Sequence, residues 1–98
     1  MINFKIKFTP EAAKFISKLH PENKKTIKAA IKEIIKRPYL GDELQGELSG
    51  FKSYKPKNYR ILYKIDEQKE SIHIYFIGQR KDVYQQFSIL LKKLTSND

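Results

Sequence analysis

The sequence predicts an α+β domain of order β-α-α-β-β-β-α, an antiparallel-rich sheet with a helical hairpin on one face. Three observations carry this: period-2 alternation over residues 2–8, two apolar stripes at three- and four-residue steps between residues 10 and 36, and three β-branched and aromatic runs after residue 50. Ninety-eight residues suffice for one core and leave little for a second, so 1–98 is read as a single domain with a frayed tail at 93–98.

Ile2, Phe4, Ile6 and Phe8 alternate with Asn3, Lys5 and Lys7, the pattern of a strand with one buried face. Thr9 and Pro10 then supply an N-cap hydroxyl and a proline at the first helical position, where its missing N–H costs nothing. Ala12, Phe15, Ile16 and Leu19 form one apolar stripe until His20-Pro21 interrupts it, and Pro21 opens a second helix. In that helix Ile27, Ala30, Ile31, Ile34 and Ile35 face inward, while Lys24, Lys25, Lys28, Lys32 and Lys36 occupy the other faces. The two helices are expected to form an antiparallel hairpin.

Pro38 ends the second helix, and Gly41, Gly46 and Gly50 punctuate a polar linker. Strands are predicted over 51–55, 59–65 and 71–77, separated by the turns Pro56-Lys57-Asn58 and 66–70. From Tyr84 the recurrence of Phe87, Leu91 and Leu94 predicts a short C-terminal helix.

With 40% hydrophobic and 32% charged residues in periodic spacing, the chain reads as globular. The absence of cysteine excludes a disulfide framework and a thiolate metal site, and makes the reducing cytoplasm the expected compartment. Lysines interrupt the first strand and no 18-residue apolar run exists, so neither a signal peptide nor a membrane span is expected. His20 and His73 lack metal-ligand spacing, and there is no Gly-rich phosphate loop, nucleophile elbow or evident carboxylate pair. No metal and no other cofactor is expected.

Twenty Lys+Arg against eleven Asp+Glu give a formal charge of +9, which attracts polyanions: nucleic acid, an acidic protein or both. Between residues 51 and 65 stand five basic residues, Lys52, Lys55, Lys57, Arg60 and Lys64, and no acidic one, interleaved with Phe51, Tyr54, Tyr59 and Tyr63. Alternation places Tyr59, Ile61, Tyr63 and Ile65 on one face and Arg60, Leu62 and Lys64 on the other, with Lys52 and Tyr54 sharing a face of the neighbouring strand. Lys52, Tyr54 and Arg60 are expected to point away from the helical hairpin into a shallow groove. Arg80 and Tyr84, four residues apart after the last strand, could reach over the same groove, with Lys81 beside them.

The string Phe8-Thr9-Pro10-Glu11-Ala12-Ala13-Lys14, the Arg37-Pro38-Tyr39 turn with Gly41, the stretch from Leu44 to Gly50, the run Asn58-Tyr59-Arg60-Ile61-Leu62-Tyr63 and the segment from Gly78 to Tyr84 together resemble the RelE/ParE toxin superfamily, in its order and spacing over roughly residues 2 to 85. The likeness is to RelE-type members in particular. It implies a toxin of a type II toxin–antitoxin system, an endoribonuclease that cuts ribosome-bound mRNA without a metal, with the RNA's own 2′-hydroxyl as nucleophile. Such chemistry needs a base, positive charge on the phosphorane oxygens and an acid for the leaving oxygen, and basic side chains can supply all three.

Carried over by position, Lys52 resembles the family's first hairpin lysine, Arg60 its phosphate-binding arginine, Arg80 its second arginine, and Tyr84 the tyrosine that stacks on or orients the nucleotide. Tyr54, Lys55, Lys57, Lys64 and Lys81 are the expected RNA-binding residues around them. Two positions depart from the pattern: Tyr54 stands where well-known members are basic, so that Lys55 or Lys57 would have to substitute as base, and Gln79 stands where a histidine is common. The resemblance also implies a partner, an acidic antitoxin encoded next to this gene that folds onto the basic groove. Its alternatives are a ParE-type inhibitor of DNA gyrase and an inactive homologue that only binds antitoxin.

Overall fold

The computed structural model describes residues 4–95, and within them a five-stranded sheet lies between two helical layers. The elements run β1 (Lys5–Phe8), α1 (Pro10–Ser17), α2 (Pro21–Lys36), β2 (Asp42–Glu43), β3 (Lys52–Tyr54), β4 (Arg60–Asp66), β5 (Ser71–Gly78) and α3 (Val83–Thr95), with short 3-10 turns at Pro38–Leu40 and Gly46–Leu48. The sheet order is β1-β5-β4-β3-β2. Only the β1–β5 pair is parallel, as a strand that returns through the helical pair requires.

The expected helix starts are found where the local chemistry puts them. The Thr9 hydroxyl accepts from the Ala12 N–H at 3.2 Å and donates to the Tyr75 carbonyl at 2.6 Å, so one side chain caps α1 and ties it to β5. Pro10 and Pro21 each open a helix, and α1 ends at Ser17, leaving Leu19 beyond it but still packed on the core.

The hairpin layer buries Ala12, Ile27, Ala30 and Ile34 against Tyr59, Ile61 and Tyr63 of the β4 side and Ile72, Ile74 and Ile77 of β5. At the edge of this core the Tyr63 hydroxyl donates to the Pro38 carbonyl at 2.6 Å and accepts from the Gly41 N–H at 3.2 Å. Burial raises the pKa of this phenol, with the Gly41 N–H opposing, so it remains a donor at neutral pH. A Cβ on Gly41 would lie 2.7 Å from that hydroxyl, which is why glycine stands there.

On the opposite face α3 covers a second, aromatic cluster of Leu48, Phe51, Leu62 and Phe87, with Tyr75, Phe76 and Tyr84 packed around it. Phe51 and Phe87 meet edge-on, ring centroids 5.0 Å apart. The pairing of β4 with β5 slips by one residue between Leu62 and Tyr63, so Tyr75 has no opposite number. This bulge lets the consecutive Tyr75 and Phe76 both join the aromatic cluster, while Ile74 and Ile77 keep to the hairpin side.

Three expectations are corrected. The supposed linker contains a strand, β2, paired antiparallel with β3, which makes the sheet one strand wider than expected. The C-terminal helix is longer than expected, since residues 93–95 of the supposed frayed tail belong to α3; residues 96–98 lie outside the described part, as do Ile2 and Asn3 of the expected first strand. The third correction concerns β3 and is decisive for the site.

Candidate nucleic-acid site

Arg60 opens β4 directly opposite Gly78, the last residue of β5, so its side chain emerges at the end of the sheet where the chain turns into α3. Gly78 makes that turn possible, because a Cβ there would lie 2.6 Å from the Val83 side chain. The loop closes through Val83 N–H to the Arg80 carbonyl at 3.0 Å and Tyr84 N–H to the Lys81 carbonyl at 3.3 Å. It thereby lays the Tyr84 ring beside Arg60, whose guanidinium carbon is 5.9 Å from the ring centroid. The Tyr84 hydroxyl shares a 3.0 Å hydrogen bond with Ser53 Oγ, which is buried under it.

Arg60 is half-buried, forms no ion pair among the described residues, and its Nε is buried without a hydrogen-bond partner. A guanidinium keeps its charge in any environment, so a half-buried one with an orphan donor has given up solvation without being repaid by a carboxylate. An anion that enters beside the guanidinium would supply the missing charge partner. Arg80 and Lys81 stand exposed on the adjoining loop. Asp82, the acid of that loop, is engaged by the Gln86 amide at 3.4 Å.

The other expected site residues are placed differently. In the β3–β4 ladder Lys52 faces Tyr63 and Tyr54 faces Ile61, and directly opposed residues share a side of the sheet. Lys52 and Tyr54 therefore point toward the helical hairpin, and Arg60 points the other way, with Leu62 and Lys64; the expectation that all three line one groove is wrong. Tyr54 packs against the hairpin core. Lys52 is folded over the Tyr39 ring at 5.5 Å, pairs with Glu43 at 3.4 Å and has only 11% of its side chain exposed.

Ser53 of β3 and Phe51 just before it are on Arg60's side, both buried, because α3 can be laid only on a small or apolar surface and a lysine there would lose its hydration. Ser53, which sequence reasoning passed over, is the group that holds Tyr84. Its one visible signal is a small polar residue alternating with aromatics on a strand.

Lys55 pairs with Asp42 at 3.4 Å, and Lys57, at a positive φ of 56°, lines a 410 Å³ groove with Lys25 and Tyr54 on the hairpin side. Lys64 is on Arg60's side but farther along β4, over the Phe51 ring at 5.2 Å, beside a 420 Å³ cleft that it lines with His73 and Tyr75. His73 Nε2 lies 3.2 Å from Ser71 Oγ, and exposed His20 sits at the start of α2 without a side-chain cap bond. Of the expected set, Arg60 and Tyr84 are brought into contact at one end of the sheet; Arg80 and Lys81 are exposed on the loop that follows β5, where Arg80 lines a shallow groove with Phe15, Gly78 and Gln86.

Residues 6–88 match the family model of the ParE-like toxin of type II bacterial toxin–antitoxin systems. Toxin RelG of Mycobacterium tuberculosis is 29% identical over 84 residues, which cover 84% of this chain and 97% of RelG. Among solved structures, the toxin–antitoxin complex RelBE2 of M. tuberculosis contains a chain that superposes with a TM-score of 0.72 at 27% identity, over 81% of this chain and 100% of that one. The isolated RelE toxin of Escherichia coli superposes at 0.69 with 20% identity, over 90% and 98%, a likeness of fold. Among the described residues no helix is long and apolar enough to cross a membrane. With the sheet order, the two helical layers and the matched span in agreement, the chain belongs to the RelE/ParE superfamily of type II toxin–antitoxin toxins.

Proposed function

We propose that the chain is an RNA-cutting toxin whose site is the Arg60–Tyr84 pair together with Arg80 and Lys81. The observation that carries this reading is the half-buried guanidinium of Arg60, held against an aromatic ring with an orphan Nε and no carboxylate partner among the described residues. In this reading the 2′-oxygen of one nucleotide attacks the adjacent phosphorus, and the bond from phosphorus to the 5′-oxygen of the next nucleotide breaks. Arg60 and Arg80 hold the phosphorane oxygens, whose charge grows in the transition state. Tyr84 keeps Arg60 in place and offers its ring to a base, a contact worth about 1 to 3 kcal/mol without reading sequence.

In this reading Lys52, turned to the other side of the sheet, takes no part in the chemistry; Lys55 is held by Asp42, and Lys57 lies on the hairpin side. Lys81 is left as the lysine of the same loop to take the 2′-hydroxyl proton as an uncharged amine, and the leaving 5′-oxygen takes its proton from water. Relatives of known structure are held in toxin–antitoxin complexes, which supports an antitoxin as the partner here; a net charge of +9 makes an acidic one fit. Ribosome-bound mRNA is the proposed substrate.

The test is induction of Arg60→Ala and Arg80→Ala variants with primer extension on a reporter message. Each is expected to lower cleavage by about 10² to 10³-fold, the usual loss for one donor to a developing oxyanion. Wild-type cleavage by both variants would end this reading. One observation favours a second: β3 itself brings Ser53 and no base to Arg60's side, and Lys55, the lysine that follows it on that side, is paired with Asp42. A ParE-type inhibitor of gyrase needs no such base, and its signature is double-strand DNA breaks with messages intact.

A further inference from the structure

Between Pro10 and Arg37 there are eight basic residues and three acidic ones, so much of the positive excess sits on the helical hairpin, on the far side of the sheet from Arg60. Within α2 it is ordered. Lys25, Lys28, Lys32 and Lys36 follow one another at steps of three, four and four, which places them in a single row along the helix over about 16 Å. All four are exposed, and none forms an ion pair among the described residues. Of the two acids of α2, Glu33 is engaged by Arg37 at 3.0 Å and Glu22 is exposed three residues before Lys25. Ile27, Ala30 and Ile34, on the opposite side of the helix, are buried.

Four like charges held in a row repel one another and weaken an isolated helix. An ordinary solvated face mixes the two signs evenly, whereas here the acids are confined to Glu22 before the row and Glu33 at its flank. The exposed residues of α2 are Pro21, Glu22, Lys25, Lys28, Ala29, Lys32 and Lys36. They include no aromatic ring on which unpaired bases could stack and no branched apolar side chain to anchor a partner helix. Lysine is a flexible point charge that grips phosphate without reading sequence. Beside the row, Lys25 and Lys57 flank a 410 Å³ groove between α2 and the β3–β4 turn, which Glu33 also lines.

We infer that the outward face of α2 is a second nucleic-acid surface, one that holds the phosphate backbone of double-helical RNA and is separate from the Arg60 site. The choice of RNA over DNA rests on the proposed function; the choice of a duplex over a single strand or a peptide rests on the bare lysine face. The protein would then grip structured RNA with one side and present its reactive end to a single strand with another. Affinity from this row is electrostatic, so it is lost steeply as salt rises.

The experiment measures binding of a labelled, blunt RNA duplex of about 20 base pairs across about 50 to 200 mM salt. The proteins are wild type, the fourfold variant Lys25→Gln, Lys28→Gln, Lys32→Gln and Lys36→Gln, the matching fourfold Lys→Arg variant, and Arg60→Ala. A charge-matched control carries Lys5→Gln, Lys7→Gln, Lys69→Gln and Lys93→Gln. If each lysine meets one phosphate, the glutamine variant binds at least about tenfold more weakly at low salt, and the slope of log K against log salt is shallower by about 3 to 4. The arginine variant and Arg60→Ala keep the wild-type slope, and the control loses far less.

An unchanged slope in the glutamine variant overturns the inference, as does an equal loss in the control. Tighter binding of a DNA duplex through the same lysines also overturns it, and so does loss of affinity for an acidic peptide alone. Failure of message cleavage with this binding intact would count against the proposed function and leave the α2 surface standing.

Discussion

The two sides of the sheet are built from different chemistry. The hairpin side is a dry core of branched aliphatics, Ile27, Ile34, Ile61, Ile72 and Ile74 among them, sealed at its edge by the buried Tyr63 hydroxyl. The α3 side is aromatic, and polar contacts join its helix to the rest: Tyr84 to Ser53, and Glu47 to Ser88 and Lys92. Ordering of one side rests on shape and burial, and of the other on a few directional contacts beside a cation with no carboxylate partner among the described residues. The difference teaches where a small basic protein can keep a charged site: next to the layer held by replaceable polar contacts, away from the one that carries most of the aliphatic burial.

The sharpest way to break this comparison is to empty each layer. Phe87→Ala on the α3 side is expected to cost about 3 to 5 kcal/mol and Ile34→Ala on the hairpin side about 2 to 5 kcal/mol, each a large part of a small domain's stability, as read by urea unfolding. A loss below about 1 kcal/mol at Ile34 would mean that the hairpin side is not the dry core described.

The two phenols come next. Tyr63→Phe leaves the Pro38 carbonyl and the Gly41 N–H without their partner and should cost about 1 to 3 kcal/mol, whereas Tyr84→Phe, which gives up one half-buried bond to Ser53, should cost about 0.5 to 1.5 kcal/mol. The reverse order would make the polar contacts of α3 the stronger of the two.

Lys52 sharpens the division of function. Its ion pair is to the exposed Glu43, so Lys52→Gln should change stability by about 0 to 1 kcal/mol and leave the proposed message cleavage at the wild-type level, while Arg60→Gln should lower it as strongly as Arg60→Ala. Loss of cleavage in Lys52→Gln with an unchanged melt would restore that lysine to the site.

The smallest effect is a pH dependence. The Ser88 hydroxyl first, and Lys92 after it, hold the Glu47 carboxyl below the usual carboxylate range. A carboxyl whose pKa is lower folded than unfolded stabilises the fold above its unfolded pKa, and that contribution disappears as pH falls through the folded value. The drop in melting temperature between about pH 7 and about pH 3 should therefore be smaller in Glu47→Gln than in wild type. An identical drop would show that Glu47 does not fasten α3.

Much of this architecture can be read locally. The proline and threonine starts of α1, the proline start of α2, the lysine and isoleucine faces of α2, and the alternation of Tyr59, Ile61, Tyr63 and Ile65 all follow from neighbours a few residues apart. The bulge left a trace too, since Ile72 and Ile74 are followed by Ile77 at a step of three instead of two. At β3 the pattern was ambiguous, because each side of that short strand carries an aromatic: Phe51 with Ser53 on one, Tyr54 with Lys52 on the other.

The sequence by itself determined the charge, the two amphipathic helices, the inward face of β4 and the family likeness, because these depend on residue type and on spacing within a turn or a strand. Only the tertiary structure decided that Ser53, and not Lys52, shares a side with Arg60, and that Tyr84 returns to cover it. A shift of one residue in pairing reverses every side chain of a strand, and the choice between the two registers lies in what α3 can tolerate beneath it, some thirty residues later in the chain.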